Sequence, residues 1–168
     1  MSDPTNDPYS EERYNPSLAM CTSLELFFDG SKLQMTGGSI TYSYPAASGR
    51  PTKDGKFSYT QKAQMASFSG PIPEGVYWIN PDELWTNRWY KRGNEASWGK
   101  YRITIHPFTT TETYKRGGFF IHGGKVLGSV GCIDLTSHIE AFVADLEKEG
   151  ATKKCQIHLT VKYQEASK

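Results

Sequence analysis

The sequence predicts a mostly β domain in which antiparallel and mixed strands are accompanied by one clear helix. Short segments alternate apolar and polar residues, as strands with one buried face do. Ten tyrosines, eight phenylalanines and four tryptophans favour strands, and sixteen glycines favour turns. With 168 residues, 37% of them hydrophobic, the chain is long enough to bury a sizeable core as one domain.

The alternation of apolar residues places the strands along the chain. The predicted strands cover residues 24–28, 32–35, 39–44, 76–79, 100–106, 118–122 and 155–163. Asp29-Gly30 lies between the first two strands and is a hairpin signal, because these residue types tolerate positive φ. Residues 45–70 are mostly polar and small, and we predict that they form a loop.

One helix is predicted shortly after Cys132. Ser137 and Glu140 have the spacing of a capping box, and Gly150 is placed to end the helix. The apolar residues that share one face of this helix are Ile139, Phe142, Val143 and Leu146. We therefore expect an amphipathic helix between the motif around Cys132 and the last strand.

The charge pattern argues against several classes of function. The formal net charge is +1 and no long block of Lys and Arg occurs, so nucleic-acid binding is not expected. No apolar run approaches the roughly 18 residues that span a bilayer, so membrane insertion is not expected. Residues 1–20 contain acidic residues and prolines but lack the features of an ordinary secretory signal. We predict a flexible N-terminal arm over residues 1–20 and a single domain over residues 21–165.

Residues 80–98 contain an unusual concentration of aromatic side chains. Trp85, Trp89, Tyr90 and Trp98 occur among Asn and Arg without a clear period. A long aromatic-rich insertion of this kind is often a lid or a binding loop. The alternative is that the tryptophans fill the core of the domain itself.

The most informative segment ends one apolar run on His122 and opens the next with Cys132. A glycine-rich loop of nine residues separates the two. This arrangement can place an imidazole beside a thiol at the ends of two neighbouring strands. Free cysteine has a pKa near ~8.5 and only its thiolate attacks carbonyls, so it needs a neighbouring base or cation. We interpret His122 and Cys132 as a catalytic dyad, which requires that the two side chains meet across a pocket open to solvent.

Other interpretations of the cysteines remain open at this point. Free cysteines are usually small buried side chains, so Cys132 and His122 can also be unrelated core residues. Gly128 and Gly131 favour the dyad, because a core cysteine does not need them. A zinc site is disfavoured because no CxxC or HxxxH spacing occurs, and we predict no metal and no cofactor. Cys21 and Cys155 either form a disulfide in an oxidising compartment or remain two separate thiols.

His122-Gly123 followed by Ser129-x-Gly131-Cys132-Ile133 resembles the signature of L,D-transpeptidase catalytic domains. Residues 71–77 are similar to a proline- and glycine-containing stretch of that family, and the resemblance covers residues 24–163. The short loop between His and Cys more narrowly resembles the L,D-transpeptidase effectors of type VI secretion. The resemblance implies a β-sandwich or open barrel and an enzyme that forms a thioester on Cys132.

The resemblance also implies roles for the residues of the motif. His122 would be the general base, or the imidazolium partner of a thiolate, and a third group would orient it, often a backbone carbonyl in that family. The N–H groups of Gly131 and Cys132 would line an oxyanion hole, with Ser129 either supporting this geometry or serving as a turn residue. The candidate substrate-binding residues are Gly123, Gly124, Arg116 and Trp98.

Two residues depart from the pattern of the family. Val130 stands where the wider family usually has His, and Asp134 stands where it usually has Arg. Asp134 either fixes the imidazole or caps the helix that follows. The missing positive charge for a substrate carboxylate would come from Arg116, Arg102 or Lys125, each of which can equally be an ordinary solvated cation.

The function implied by the resemblance is that of an antibacterial type VI secretion effector acting on peptidoglycan stem peptides. It would be delivered by the secretion machinery without a signal peptide, act in the periplasm of the target cell and be neutralised by a cognate periplasmic immunity protein. Its activity would be L,D-carboxypeptidase, D-amino acid exchange or cross-linking. The alternatives are a non-catalytic peptidoglycan-binding module that uses Trp85, Trp89 and Trp98, and a structural domain that docks onto the secretion needle.

Overall fold

The computed structural model describes residues 15–86, 99–124, 129 and 131–164. Within these residues the strands are β1 (Met20–Phe28), β2 (Lys32–Thr36), β3 (Tyr42–Pro45), β4 (Ala47–Ser48), β5 (Gly75–Ile79), β6 (Trp85–Thr86), β7 (Tyr101–Pro107), β8 (Phe119–His122), β9 (Ile133–Asp134) and β10 (Gln156–Val161). The helices are α1 (Gln61–Gln64) and α2 (Ile139–Lys148), with short 3-10 turns at Pro81–Glu83 and Thr136–His138. The predicted mostly β fold with one clear helix is confirmed.

The strands form one mixed sheet in the order β3-β2-β1-β10-β5-β7-β8-β9-β4, and β6 pairs with β7. The pairs β1–β10 and β8–β9 are parallel, whereas the other pairs are antiparallel. β3 ends at Pro45 and β4 begins at Ala47, so one stretch of chain pairs with β2 at one end of the order and with β9 at the other. This continuity makes the sheet a nearly closed, barrel-like structure.

The helix α2 packs its apolar face into the core. The buried residues on this face are those predicted, namely Ile139, Phe142, Val143 and Leu146. The ring of Phe142 meets the ring of Tyr44 edge-on at a centroid distance of 5.5 Å, and the Tyr44 hydroxyl donates to Asp145 Oδ2 at 2.6 Å. α2 is therefore attached to β3 by both apolar and polar contacts.

Two local predictions are wrong, and each has a physical reason. The predicted loop 45–70 contains β4 and α1. Two residues are too few for β4 to produce an alternating pattern, and Thr60 begins α1 by accepting a hydrogen bond from the N–H of Ala63 at 3.2 Å. The predicted capping box also does not form, because a 3-10 turn precedes α2 and the capping position is taken by His138 without a side-chain hydrogen bond.

The ends of the described chain are fixed to the sheet. Cys21 at the start of β1 and Cys155 before β10 form a disulfide with a Cα–Cα distance of 5.0 Å, which decides between the two alternatives left open above. β1 begins at Met20, and Asn15 Oδ1 accepts a hydrogen bond from the N–H of Thr109 at 3.2 Å. Residues 1–14 of the predicted arm lie outside the described residues. Across the described ranges, no helix has the length and hydropathy needed to cross a bilayer.

Candidate active site

The strands β7, β8 and β9 bring the predicted catalytic histidine next to charged neighbours. His122 at the end of β8 pairs with Arg102 of β7 on one side and with Asp134 of β9 on the other. The residues of these strands that belong to the buried core cluster are Ile103, Ile121 and Ile133. Because side chains alternate along a strand, Arg102, His122 and Asp134 project from the face opposite this core.

Cys132 lies on the same face as His122. It directly precedes β9 and, like Asp134, is not part of the core cluster that contains Ile133. Its thiol donates to the carbonyl oxygen of Gly118 at 3.7 Å and accepts a hydrogen bond from the N–H of Phe120. The charges of Asp134 and Arg102 act on both Cys132 and His122, so the thiol and the imidazole share one electrostatic environment.

The imidazole of His122 is oriented by the backbone of its own neighbour. Its Nδ1 atom lies 2.6 Å from the carbonyl oxygen of Gly123. Because a carbonyl oxygen only accepts hydrogen bonds, this contact assigns the proton to Nδ1 and leaves Nε2 as the basic nitrogen of the neutral ring. A backbone carbonyl therefore supplies the orienting acceptor that a catalytic histidine needs.

The protonation states follow from burial. Burial is the main cause that raises the pKa of the Cys132 thiol to about 12; the Asp134 charge acts in the same direction, while the N–H of Phe120 and two arginines oppose it. Burial also lowers the pKa of His122 below its ordinary value, against the opposing effects of the Gly123 carbonyl and Asp134. At neutral pH the pair therefore consists of a neutral thiol and a neutral imidazole. This arrangement favours general-base catalysis over a preformed thiolate–imidazolium pair.

The sequence predicts a pocket open to solvent at Cys132 and His122, but the structure buries both residues. Cys132 is 4% exposed and His122 is 3% exposed. That expectation is wrong for this conformation, because the packing of the chain over the sheet face was invisible in the motif.

Ser129 and Gly131 shape the backbone next to the thiol. The Ser129 hydroxyl donates to the carbonyl oxygen of Cys132 at 2.6 Å, and its N–H donates to the carbonyl oxygen of Gly49 at 2.9 Å. Gly131 has a φ of +83°, and a Cβ atom there would lie 2.8 Å from Arg116 Nη2. Glycine is therefore required at position 131 both for its conformation and for space.

Asp134 is fully buried and begins the turn that leads into α2. Its Oδ1 atom accepts a hydrogen bond from the N–H of Thr136 at 2.8 Å. Its negative charge also raises the pKa of His122, with which it is paired in register. Asp134 therefore acts on His122 through its charge and closes a local turn with Thr136, but it does not cap α2, whose capping position is His138. No group of side chains suited to a metal ion occurs among the residues described.

Arg116 and two tyrosines hold the proline-containing turn upstream of the site. Arg116 donates to the carbonyl oxygens of Pro71 at 2.6 Å and of Gly70 at 2.9 Å. Tyr163 and Tyr77 donate to the next two carbonyl oxygens, those of residues 72 and 73. Arg116 is buried rather than solvated, and its contacts with the turn are those of a residue that supports the site from behind.

The other candidate substrate-binding residues have mixed positions. A Cβ atom at Gly123 would lie 2.4 Å from Ile139 Cγ2, so this glycine allows the start of α2 to pack against the strand end. Gly124 has a φ of +137° and lies against Gly99, where a Cβ atom would be 2.8 Å from the N atom of Gly124. Trp98, together with Lys125 and Val130, lies outside the described residues.

Arg102 lies next to His122, a position that the sequence did not indicate. Its guanidinium carbon lies 4.3 Å from the ring centroid of Trp85 and 5.2 Å from that of Phe120. The signal that could have found this position is the alternation of β7, which places Arg102 on the face opposite Ile103. The pairing of β7 with β8 was needed to bring that face next to His122.

A family comparison covers most of this fold. The family model of the Tlde1 domain matches residues 48–157, a range that begins in β4, ends in β10 and includes both His122 and Cys132. A search of curated proteins found no match to the chain.

Proposed function

We propose that this chain, which belongs to the Tlde1 domain family of type VI secretion effectors, is a cysteine-dependent enzyme acting on peptidoglycan stem peptides. The observation that supports the proposal is that His122 ends β8 and Cys132 directly precedes β9, the parallel partner of β8, with neither residue in the buried core cluster. Because Nδ1 donates to the carbonyl oxygen of Gly123, Nε2 is the nitrogen of His122 that can accept a proton.

The first step forms a thioester from a neutral resting pair. Nε2 of His122 takes the thiol proton as the sulfur of Cys132 attacks the carbonyl carbon of the L,D peptide bond, and a C–S bond forms. The electron pair of the carbonyl moves to its oxygen. The C–N bond then breaks, and the imidazolium gives its proton to the departing amine of the D-amino acid.

The second step determines the product. When water attacks the thioester carbonyl, His122 again takes the proton, the C–S bond breaks and the imidazolium returns the proton to the sulfur of Cys132. The shortened stem is released, and the enzyme acts as an L,D-carboxypeptidase. The amine of a free D-amino acid gives exchange, and the amine of a second stem gives a cross-link. The same sulfur and imidazole serve all three outcomes, so the acceptor that reaches the thioester decides among them.

The backbone at the nucleophile is suited to stabilise the oxyanion. Gly131 is held in a left-handed conformation immediately before Cys132, and Ser129 fixes the carbonyl of Cys132. The N–H groups of Gly131 and Cys132 would donate to the oxygen of the tetrahedral intermediate. The loss of one such donor costs about 3 kcal/mol of transition-state stabilisation in comparable enzymes.

The place of action that we propose is the periplasm of a target cell, after delivery by the type VI secretion machinery. The disulfide between Cys21 and Cys155 supports this proposal, because disulfides persist in oxidising compartments. A periplasmic immunity protein of the producing cell would protect it from its own effector, and stem peptides would be the substrate.

The test is digestion of purified tetrapeptide muropeptides, with and without an added D-amino acid, followed by mass spectrometry. The expected products are tripeptides in water and exchanged tetrapeptides with the amino acid. Cys132→Ala is the control that should abolish both products. Unchanged tetrapeptides under every condition would refute the proposal, and retained binding of sacculi by both proteins without product would favour a non-catalytic module.

A further inference from the structure

The guanidinium of Arg116 lies buried behind the nucleophile. Besides the bonds to Gly70 and Pro71, its Nη1 atom donates to the carbonyl oxygen of Gln64 at 2.5 Å. Arg116 is 7% exposed. Three backbone carbonyls therefore hold the charged group in one position, away from solvent.

The positive charge of Arg116 has no carboxylate partner among the described residues. The titratable groups that act on it are the phenols of Tyr77 and Tyr163 and the thiol of Cys132. Burial raises the pKa of Tyr163 well above its ordinary value, so this phenol stays neutral. A buried charge is costly unless an opposite charge compensates it. Of these groups, Cys132 is the one that becomes negatively charged in the proposed reaction.

The contact between Arg116 and the nucleophile is made through the residue before it. The position of a Cβ atom on Gly131 lies 2.8 Å from Arg116 Nη2 and 2.9 Å from the ring of Phe119. The guanidinium therefore packs directly against the backbone that presents the sulfur. The other groups that face this sulfur are Asp134, whose charge opposes a thiolate, and Arg102, whose charge favours it.

We propose that Arg116 is a positioning residue that fixes the backbone of Gly131 and Cys132 and places an uncompensated positive charge behind the sulfur. This charge stabilises the thiolate that forms as His122 removes the proton, and the three carbonyl contacts keep it from turning towards solvent. The proposal rests on the proposed function for the use of the thiolate, whereas the effect on the thiol itself can be measured without substrate.

Two substitutions separate the charge of Arg116 from its hydrogen bonds. Arg116→Lys keeps the charge and loses the fork of donors, and Arg116→Gln keeps polar donors and loses the charge. Tyr163→Phe is the matched control, since it removes a donor to the same turn without changing any charge. The readout is the rate of alkylation of Cys132 by iodoacetamide between pH 6 and 10. It is specific because the other two cysteines form the disulfide.

The expected result is that Arg116→Gln slows alkylation at pH 8 about tenfold, the effect of removing a nearby opposite charge. Arg116→Lys and Tyr163→Phe should remain within about threefold of the unchanged protein. Thermal melts establish that each variant is folded. If folded Arg116→Gln reacts like the unchanged protein, or if all three variants are slowed equally, the charge has no role and the proposal is overturned.

A second measurement leaves Arg116 in place and covers the case in which its variants do not fold. Cys132→Asp introduces a carboxylate at the sulfur position, and Cys132→Asn is its neutral counterpart. If an uncompensated cation faces this position, the Asp variant should melt at the same temperature as the Asn variant or higher at pH 7. A markedly lower melting temperature of the Asp variant would overturn the proposal.

Activity separates this role from substrate binding and from failure of the proposed function. On muropeptides, Arg116→Gln should lower kcat with KM little changed, whereas a residue that binds a substrate carboxylate would raise KM. If the unchanged protein has no activity but the alkylation results are as expected, the proposed function fails and the electrostatic role of Arg116 stands.

Discussion

The Nδ1 atom of His122 lies 2.6 Å from the carbonyl oxygen of Gly123, the next residue in the chain. The orienting partner of the catalytic base is thus supplied by the backbone rather than by a third side chain. Such a partner does not titrate and is not removed by substitution. The chemistry of the site consequently depends on the side chains of His122 and Cys132 and on the charges around them.

The pH dependence of activity should reflect the lowered pKa of His122. Burial disfavours the imidazolium, so the basic form persists to lower pH than in an ordinary histidine. We expect kcat/KM on stem peptides to fall only below about pH 6.5. His122→Asn should reduce kcat by about 10²- to 10⁴-fold. His138→Asn is the control, because His138 is exposed, and it should leave kcat unchanged. If kcat/KM already begins to fall above pH 7, the assignment of His122 as the base is contradicted.

The alkylation of the unchanged protein should show how far the thiol is from ionisation. Because the pKa of Cys132 is raised to about 12, the rate should rise with pH up to pH 10 without reaching a plateau. A preformed thiolate–imidazolium pair would instead react at a constant rate across this range. Intact-mass measurement at each pH distinguishes the two profiles.

Asp134 should affect both catalytic groups through its charge. Asp134→Asn keeps an acceptor for the N–H of Thr136 but removes the charge that raises the pKa of His122. The acidic limb of the pH profile should therefore move to lower pH, and alkylation of Cys132 should become faster. Asp134→Ala should in addition lose about 1 kcal/mol of unfolding free energy, because the hydrogen bond from the N–H of Thr136 is lost. Unchanged pH profiles in the Asn variant would contradict this role.

Gly131 and Gly55 form a matched pair for testing the crowding at the nucleophile. Their φ angles are +83° and +78°, but a Cβ atom at Gly55 meets nothing within 4 Å, whereas one at Gly131 meets Arg116 and Phe119. Gly55→Ala should cost about 1 kcal/mol of unfolding free energy, from backbone strain alone. Gly131→Ala should cost about 2 kcal/mol more and reduce activity. Equal losses in urea unfolding would show that the space at Gly131 is not limiting.

The disulfide should contribute strongly to stability because it joins distant parts of the chain. Cys21 and Cys155 are separated by 134 residues in sequence. Replacing both by Ser should lower the unfolding free energy by about 2–4 kcal/mol. Urea unfolding with and without reductant measures this loss. Cys132→Ser keeps the disulfide and should remain sensitive to reductant, whereas the double variant should show no dependence on reductant. A double variant as stable as the unchanged protein would contradict the prediction.

Much of the fold could be predicted from the sequence because its strands have one buried face. β10 shows this clearly, since Ile157, Leu159 and Val161 alternate with more polar residues and are buried. β4 could not be predicted, because a strand of two residues has no period. Whether the two cysteines form a disulfide also depended on the parallel pairing of β1 with β10, which the sequence pattern does not specify.

The prediction of the site reached its two reactive residues but not their surroundings. His122 and Cys132 stood out because a glycine-rich loop joins them. Arg116 looked like a surface cation in Lys115-Arg116-Gly117, and its partners lie 45 to 52 residues earlier in the chain. The covering of the thiol is likewise a property of the folded chain. Such distant contacts leave no local signal.

The passage of the chain from β3 into β4 has a consequence for the behaviour of the protein in concentrated solution. In an open sheet the outermost strands present rows of unpaired N–H and C=O groups, onto which another molecule can add a strand. Here β4 covers β9, and β3 continues directly into β4. Within the described residues β4 therefore occupies the outer edge of β9, and another copy of this protein should not be able to add a strand at that edge.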